Sequence, residues 1–348
     1  MATTEYGVNH ALAVKRWAPD LMKVALKKTS FGQFMGRGSN ALCQVKTELN
    51  KGAGDRIRFG IRYQLAGDGV EGDDTLEGKE EALVTYADNV FINQLRHAVR
   101  SEGKMSEQRV PFSVREEARD GLSDWFADKF DTAFFNQLAG MSGITDGRLT
   151  GHNTPTAPDT AHWYYSSAVN STEATLDSSD TITLTDIDNL VEAAETLTVP
   201  IRPIDIGRGD KKYVMFLHPY QVTDLRTNTD TGQWLDIQKS AMSGGQISKN
   251  PIFTGALGEY NGVVLHRNTR VPTNVASTRR AIFCGAQAGA MAFGRDSQPQ
   301  TFSWVEELFD FKNQLGVSGG TQWGLKKCTF NSSDHSVLVM STYAAAHT

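Results

Sequence analysis

The 348-residue chain predicts an α+β fold built around one long hairpin and one long amphipathic helix. Residues 55–63 alternate apolar and basic side chains, which is the period of a half-buried strand. Residues 113–140 repeat apolar side chains at helical spacing. The C-terminal half reads mostly as short strands joined by turns, and 39% hydrophobic residues with 32 glycines suit a chain that buries a real core.

Taken in order, residues 1–52 read as an arm with short helices. Pro19 suits a first helical turn, where its missing N–H costs nothing. Leu21, Met22, Val24, Ala25 and Leu26 come next, with Lys23, Lys27 and Lys28 among them, and the glycines of Gly32–Gly38 stop that helix. In the next strand Ile57, Phe59, Ile61 and Tyr63 face one side, and Arg56, Arg58 and Arg62 the other. The stretch Gly67–Glu81 holds seven acids, including Asp68, Glu71, Asp73, Asp74 and Glu77, with one lysine and four glycines. It cannot pack a core and reads as a mobile tip. A second β-rich run returns through Ala82–Val99, so residues 55–100 form a hairpin with a basic stalk and an acidic end.

Ser113 and Glu116 predict a capping box. Behind it, Ala118, Leu122, Trp125, Phe126, Phe130, Ala133, Phe134 and Leu138 line one helix face, with Asp124, Asp128 and Asp131 falling between them. Gly140 is a suitable C-terminal stop. Residues 141–181 form a polar insertion in which seventeen of 41 residues are Ser, Thr or Gly, and His162–Tyr165 is an aromatic island that anchors it. Asp186–Leu197 reads as an amphipathic helix, His218-Pro219 starts another, and Lys212–Leu217, Val263–His266 and Ala281–Cys284 read as strands. A β-rich tail begins at Thr301 and ends on Ser336–Ser341.

The net charge of −5 gives no footprint for tight nucleic-acid binding. It is unevenly spread: residues 1–66 carry eleven Lys/Arg against four Asp/Glu, a local +7, which leaves −12 on the rest. Such asymmetry fits complementary surfaces on neighbouring copies, or simply a solvated basic face. Cys43, Cys284 and Cys328 are too scattered for a disulfide framework or a zinc site and read as buried thiols. No apolar run reaches the roughly 20 residues a bilayer span needs. Gly316-Val-Ser-Gly-Gly320 matches the nucleophile elbow formally, but a strand-like run comes after it where a helix is required, so a Gly-rich hairpin turn is the better reading. No Walker, H-E-x-x-H or calcium-loop pattern occurs. The sequence therefore predicts neither an enzyme nor a cofactor.

Several strings carry a family resemblance: Gly54-Asp-Arg-Ile-Arg-Phe-Gly60, the Thr75-Leu-Glu-Gly78 core of the acidic tip, Gln94-Leu-Arg-His-Ala-Val-Arg100, Met105-Ser-Glu-Gln-Arg-Val-Pro-Phe112, Phe134-Phe-Asn-Gln-Leu-Ala-Gly140, Met215-Phe-Leu-His-Pro-Tyr-Gln-Val222, Pro251-Ile-Phe-Thr-Gly-Ala-Leu-Gly258 and Trp304-Val-Glu-Glu-Leu-Phe309. In them the chain resembles the N4-like family of tailed-bacteriophage major capsid proteins, whose fold is HK97-like. The resemblance implies an N-terminal arm over 1–54, an E-loop hairpin over 55–102 and a peripheral domain with a long spine helix over 103–140. It further implies an axial domain over 182–300 and return strands over 301–348, with the 141–181 insertion least matched.

The implied function is self-assembly into the hexamers and pentamers of an icosahedral head around double-stranded DNA. The implied partners are a separate scaffolding protein, a portal protein and the DNA itself, with room for a decoration protein and none for a membrane. The implied setting is the virion, assembled in the host cytoplasm. Within that picture the hairpin residues Arg56, Arg58, Arg62, Asp68, Glu71, Asp73, Asp74 and Glu77 are candidate inter-subunit contacts. Leu122, Trp125, Phe126, Phe130, Phe134 and Leu138 are the spine core. Lys23, Lys27 and Lys28 are candidates for sequence-blind contact with the packaged DNA. A compartment of the same fold that holds a cargo enzyme is the alternative, and DNA inside the particle discriminates the two.

Overall fold

The computed structural model describes residues 29–48, 54–62, 65, 67–111, 113–166, 171–207, 210–228, 258–275, 277–294 and 303–347. Two mixed sheets and the helix Val114–Leu138 dominate it. The strands, in chain order, are β1 (Met35–Gly36), β2 (Cys43–Lys46), β3 (Arg56–Arg62), β4 (Thr85–Phe91), β5 (Asn93–Arg100), β6 (Trp163–Tyr165), β7 (Ile204–Gly207), β8 (Asp210–Leu217), β9 (Glu259–Tyr260), β10 (Val263–Arg267), β11 (Thr278–Cys284), β12 (Gly289–Phe293), β13 (Ser303–Phe309), β14 (Gln314–Lys327), β15 (Thr329–Phe330), β16 (Ser333–Asp334) and β17 (Val337–Tyr343).

The first sheet runs β1-β2-β12-β14-β13, with β5 on the other edge of β14. The second runs β6-β17-β11-β8-β10-β9, with β7 also paired to β8. The chain crosses between sheets earlier than residue 300, because β12 already belongs to the first sheet. It crosses back later, because β17 lies beside β11 in the second. The hairpin proper is β3 paired antiparallel to β4, from Arg56 opposite Phe91 to Arg62 opposite Thr85. The return run does not stay with it. After Ile92 the chain changes partner, and β5 pairs with β14 over Asn93–Arg100.

The spine helix lies where the two sheets meet. Leu122, Phe126, Phe130, Phe134 and Leu138 share one core with Met291, Phe293 and Trp323 of the first sheet and Phe216, Ile282 and Val339 of the second. At about 1.5 Å per residue its 25 residues span roughly 38 Å. Ser113 caps the helix by accepting the Glu116 N–H; the reciprocal bond from the Ser113 N–H to the Glu116 carboxylate, which would complete a capping box, is not formed. At the other end the Gly140 N–H donates to Gln137 O and the Met141 N–H to Asn136 O, and Gly140 has φ +64°. This is the Schellman pattern, which satisfies two terminal carbonyls. Trp125 is only half-buried: its indole stacks on exposed His97 of β5, with ring centroids 4.5 Å apart. Asp131, which the periodicity places between the apolar positions, is buried.

Ser318 lies inside β14, not in a turn. The glycines around it serve close packing. A Cβ on Gly316 would come within 2.6 Å of the Phe309 ring, and one on Gly324 within 1.9 Å of Phe91 O. With no strand-to-helix turn, the nucleophile-elbow geometry is absent here. The insertion is not a bare loop. It contributes β6, paired parallel to β17, the short helix Gly147–Thr150 and a 3-10 turn at Glu173–Thr175.

Phe130 is fully buried and meets Trp323 edge-on, with centroids 4.5 Å apart. Phe130→Ala is expected to cost about 3–5 kcal/mol in urea unfolding. Phe130→Asp, which buries an unpaired charge, is expected to give insoluble protein. Recovery of soluble, assembling Phe130→Asp protein would show that the stripe faces solvent.

Candidate assembly surfaces

The hairpin carries its charges outward. Ile57 is buried on a small core with Val90, Ala290, Ala292, Cys328 and Phe330, and Phe59 packs against it, which fixes the stalk on the body. The same alternation leaves Arg56, Arg58 and Arg62 exposed. The Arg56 guanidinium lies 4.6 Å from the Phe91 ring centroid. Beyond the strands, Asp68, Glu71, Asp73, Asp74 and Glu77 are all exposed in a stretch without helix or strand. The Lys79 ammonium approaches Asp74 at 3.8 Å, with both side chains largely in solvent. Among the described residues no ion pair joins the stalk arginines to the tip acids. Lys23, Lys27, Lys28 and Tyr63 lie outside the described residues.

Three buried polar clusters, none of them signalled by periodicity, hold this architecture in place. In the first, Arg280 of β11 and Glu173 of the insertion form a two-pronged pair, Nε–Oε1 2.6 Å and Nη2–Oε2 2.9 Å, with both side chains 4% exposed. Arg280 Nη1 also donates to the Ala139 and Gly140 carbonyls at the end of the spine helix, and its guanidinium lies over the Trp163 ring. Burial opposes ionisation of Glu173, but hydrogen bonds from Arg280, Asn274 and Ser341 outweigh it and hold the carboxyl below its ordinary range.

In the second, Lys327 Nζ donates to Asp334 Oδ2 at 2.7 Å and to Thr156 O at 3.1 Å. Burial pushes the Lys327 ammonium down, with Asp334 opposing. Asp159 beside it accepts from Ser333 and from the Asp334 N–H and bonds His162 Nδ1. These bonds overcome burial and bring its carboxyl down to about 2.

In the third, Asp131 of the spine helix receives the arm. Ser30 donates its N–H to both carboxylate oxygens at 3.0 Å and its hydroxyl to one at 2.9 Å. Arg270 and Asn268 close the cluster. Next to it Phe31 stacks on Phe134 at 4.2 Å. Burial dominates at Asp131 and leaves its carboxyl raised despite these partners.

The cysteines are free and buried, and burial pushes the Cys43 thiol up to about 12, which makes it unreactive. Among the described residues no group of His, Cys, Asp and Glu could hold a metal, and no helix is long and apolar enough to cross a membrane.

The described residues thus combine a charged hairpin, a two-sheet body and a long helix packed where the sheets meet. Known proteins of the same build are phage capsid subunits. A family profile described as phage capsid protein matches residues 5–346, and the chain belongs to that family. The major capsid protein of Pseudomonas phage KPP25 is 29% identical over 347 residues, covering 91% of this chain and 89% of the relative. The capsid of Ralstonia phage GP4 superposes with a TM-score of 0.79 at 33% identity, covering 99% of both chains. The capsid subunit of cyanophage Pam1 gives 0.76 at 20% identity over 100% of this chain and 95% of that one, a likeness of fold. The fold is HK97-like, and the protein is a phage major capsid protein that assembles with copies of itself in the virion shell.

Removing Glu173 would leave Arg280 buried without its partner. Glu173→Ala is expected to destabilise the subunit by about 3–5 kcal/mol in denaturant titration. A pH dependence is expected from His218, whose Nδ1 accepts the Tyr220 N–H at the start of the helix Pro219–Thr227. Burial, with nearby Arg279 second, lowers its pKa from 6.5 to about 4. The folded state therefore binds the proton less readily than the unfolded one. Stability from this group is present above pH 6.5 and is lost as pH falls toward 4, by about 2–3 kcal/mol. Asp186, raised by burial to about 6, acts with the opposite sign over the acid range. The test is thus the difference between the wild type and His218→Asn, which keeps a capping oxygen. The wild type should lose ground to the variant between pH 7 and pH 4, and parallel curves would refute the assignment.

Proposed function

We propose that the chain closes an icosahedral head by forming hexameric and pentameric capsomers around packaged double-stranded DNA, with the hairpin strapping each subunit to its neighbour. The observation that carries this is the hairpin: a firmly rooted stalk whose exposed arginines form no ion pair with Asp68, Glu71, Asp73, Asp74 or Glu77 of the tip among the described residues. Ring contacts of the heterologous kind close by rotation, and each can be weak because many act together.

The subunit then divides into the arm (1–54), E-loop (55–102), peripheral domain with the spine helix (103–140), insertion (141–181), axial domain (182–300) and return strands (301–348). The sheet pairing is the reason to move β12 to the peripheral side and β17 to the axial side. Kinship with the N4-like subfamily, a separate scaffolding protein, a portal, a decoration protein and assembly in the host cytoplasm belong to the same reading, as does the absence of catalysis. Lys23, Lys27 and Lys28 are assigned to contact with DNA phosphates, a sequence-blind and salt-sensitive interaction.

Reversing Arg58 and Arg62 to Glu tests the strap. Neither side chain is part of the core, so the subunit should fold with an unchanged urea midpoint. One exposed ion pair is worth about 0–1 kcal/mol, but a shell repeats it at every subunit. Shell yield, counted by electron microscopy, should fall or become sharply salt-dependent. Normal assembly at both low and high salt would show that the arginines form only a solvated face.

A further inference from the structure

We propose that Lys327 and Asp334 become joined by an amide bond within each subunit, through condensation of the lysine amine with the aspartate side chain. The link closes the segment where the chain leaves the first sheet at the end of β14 and turns toward β17 of the second. It calls on no second copy of the chain and on no enzyme.

The two groups are held against each other away from solvent. Lys327 Nζ lies 2.7 Å from Asp334 Oδ2, and the side chains are 1% and 3% exposed. The carbon to be attacked is bonded to the oxygen that Nζ already touches. The backbone builds this approach. β15 and β16 form a tight hairpin whose turn residues, Asn331 and Ser332, have φ of +52° and +60°, as a two-residue turn of this hand requires. The pairing sets Asp334 opposite Thr329, close in the chain to Lys327. Asp159 then pins the returning strand, accepting the Ser333 hydroxyl at 2.6 Å and the Asp334 N–H at 2.9 Å. Reactants fixed in this way behave as if at very high concentration.

Hydrogen-bond accounting favours the amide over the ion pair. An ammonium has three hydrogens to donate. Among the described residues Nζ has two acceptors, Asp334 Oδ2 and, at 3.1 Å, Thr156 O. A buried donor hydrogen without an acceptor is costly. An amide nitrogen keeps one hydrogen, and Thr156 O is in place to take it. Burial works in the same direction. It pushes the Lys327 ammonium down and the Asp334 carboxyl up, against their mutual attraction, so both move toward the uncharged forms that condense.

The step balances without an outside reagent. One proton passes from the Lys327 ammonium to the Asp334 carboxylate, leaving an amine and a carboxylic acid. The Nζ lone pair attacks Cγ, the C–N bond forms, and one C–O bond breaks. The departing hydroxyl takes a proton from the nitrogen and leaves as water, and nothing is oxidised or reduced. A cavity of about 110 Å³ bordered by His162, Ser333 and Asp334 has room for that water, which needs about 30 Å³.

The test is peptide mass spectrometry on the purified full-length chain, denatured and digested with trypsin. Trypsin cuts after free lysine, and no lysine or arginine follows Lys327 in the sequence. An unlinked chain therefore releases residues 328–348 at full mass. In the linked chain Lys327 is no longer a cleavage site. The C-terminal peptide should then contain Lys327, weigh one water less than its sequence, and give no fragments between residues 327 and 334.

Release of 328–348 at full mass would overturn the link, and so would a peptide that retains Lys327 at full mass. Loss of water with cleavage still occurring after Lys327 would mean that Asp334 has cyclised onto its own backbone, which also overturns it. In Asp334→Ala the peptide should revert to 328–348, and a water loss that persists there would place the dehydration elsewhere and remove the proposal. The deciding measurement is made on the wild-type chain, so it stands whether or not that variant folds.

Discussion

The ion pair between Arg280 and Glu173 is the interaction on which the rest of the subunit depends. Two residues 107 positions apart meet at a point where the second sheet, the insertion and the end of the spine helix converge. The spine helix ends with carbonyls that no longer have partners within the helix, a problem common to all helices. Arg280 solves it for Ala139 and Gly140 while balancing the Glu173 charge and covering Trp163. Desolvating two charges gains little stability in itself. What the arrangement provides is position: it ties the C-terminal end of the helix to β11 and to the insertion at one point.

The hairpin and the spine helix were legible because each is an amphipathic element written in local periodicity. Period two put Arg56, Arg58 and Arg62 on one face of a strand, and helical spacing put Leu122, Phe126 and Phe130 on one stripe. The misreadings have a common physical source. Helical spacing placed Asp131 between the apolar positions and could not report its burial, because its partners, Ser30 and Arg270, lie 101 and 139 residues away. Trp125 packs against the core but sits at its edge, half-buried under His97, which helical spacing alone could not distinguish from the interior. The glycines around Ser318 looked like a turn because composition cannot distinguish a glycine that bends the chain from one that admits a neighbour's backbone.

The insertion illustrates the same limit from the other side. Its Ser, Thr and Gly content describes a loop, and most of its backbone is indeed irregular. Yet Glu173 and Asp159 make it the hub of two buried clusters. The aromatic island works in the same way: Trp163 donates to Ser341 and lies under Arg280, so β6 adds an edge to the second sheet. Polar composition thus disguised a segment that organises the body from inside.

The first sheet has a consequence for how the molecule is made. The arm strand β2 pairs in parallel with β12, and β5 pairs with β14, so neither can join the first sheet until residues 289–327 exist. Pairings this distant form late and slowly compared with local ones. On a ribosome, the root of the hairpin cannot be completed until nearly the whole chain has emerged. A nascent chain therefore lacks the platform that would present its binding surfaces to finished copies. The topology itself delays the competence to associate until synthesis is almost over, which keeps growing chains from being drawn into a forming particle.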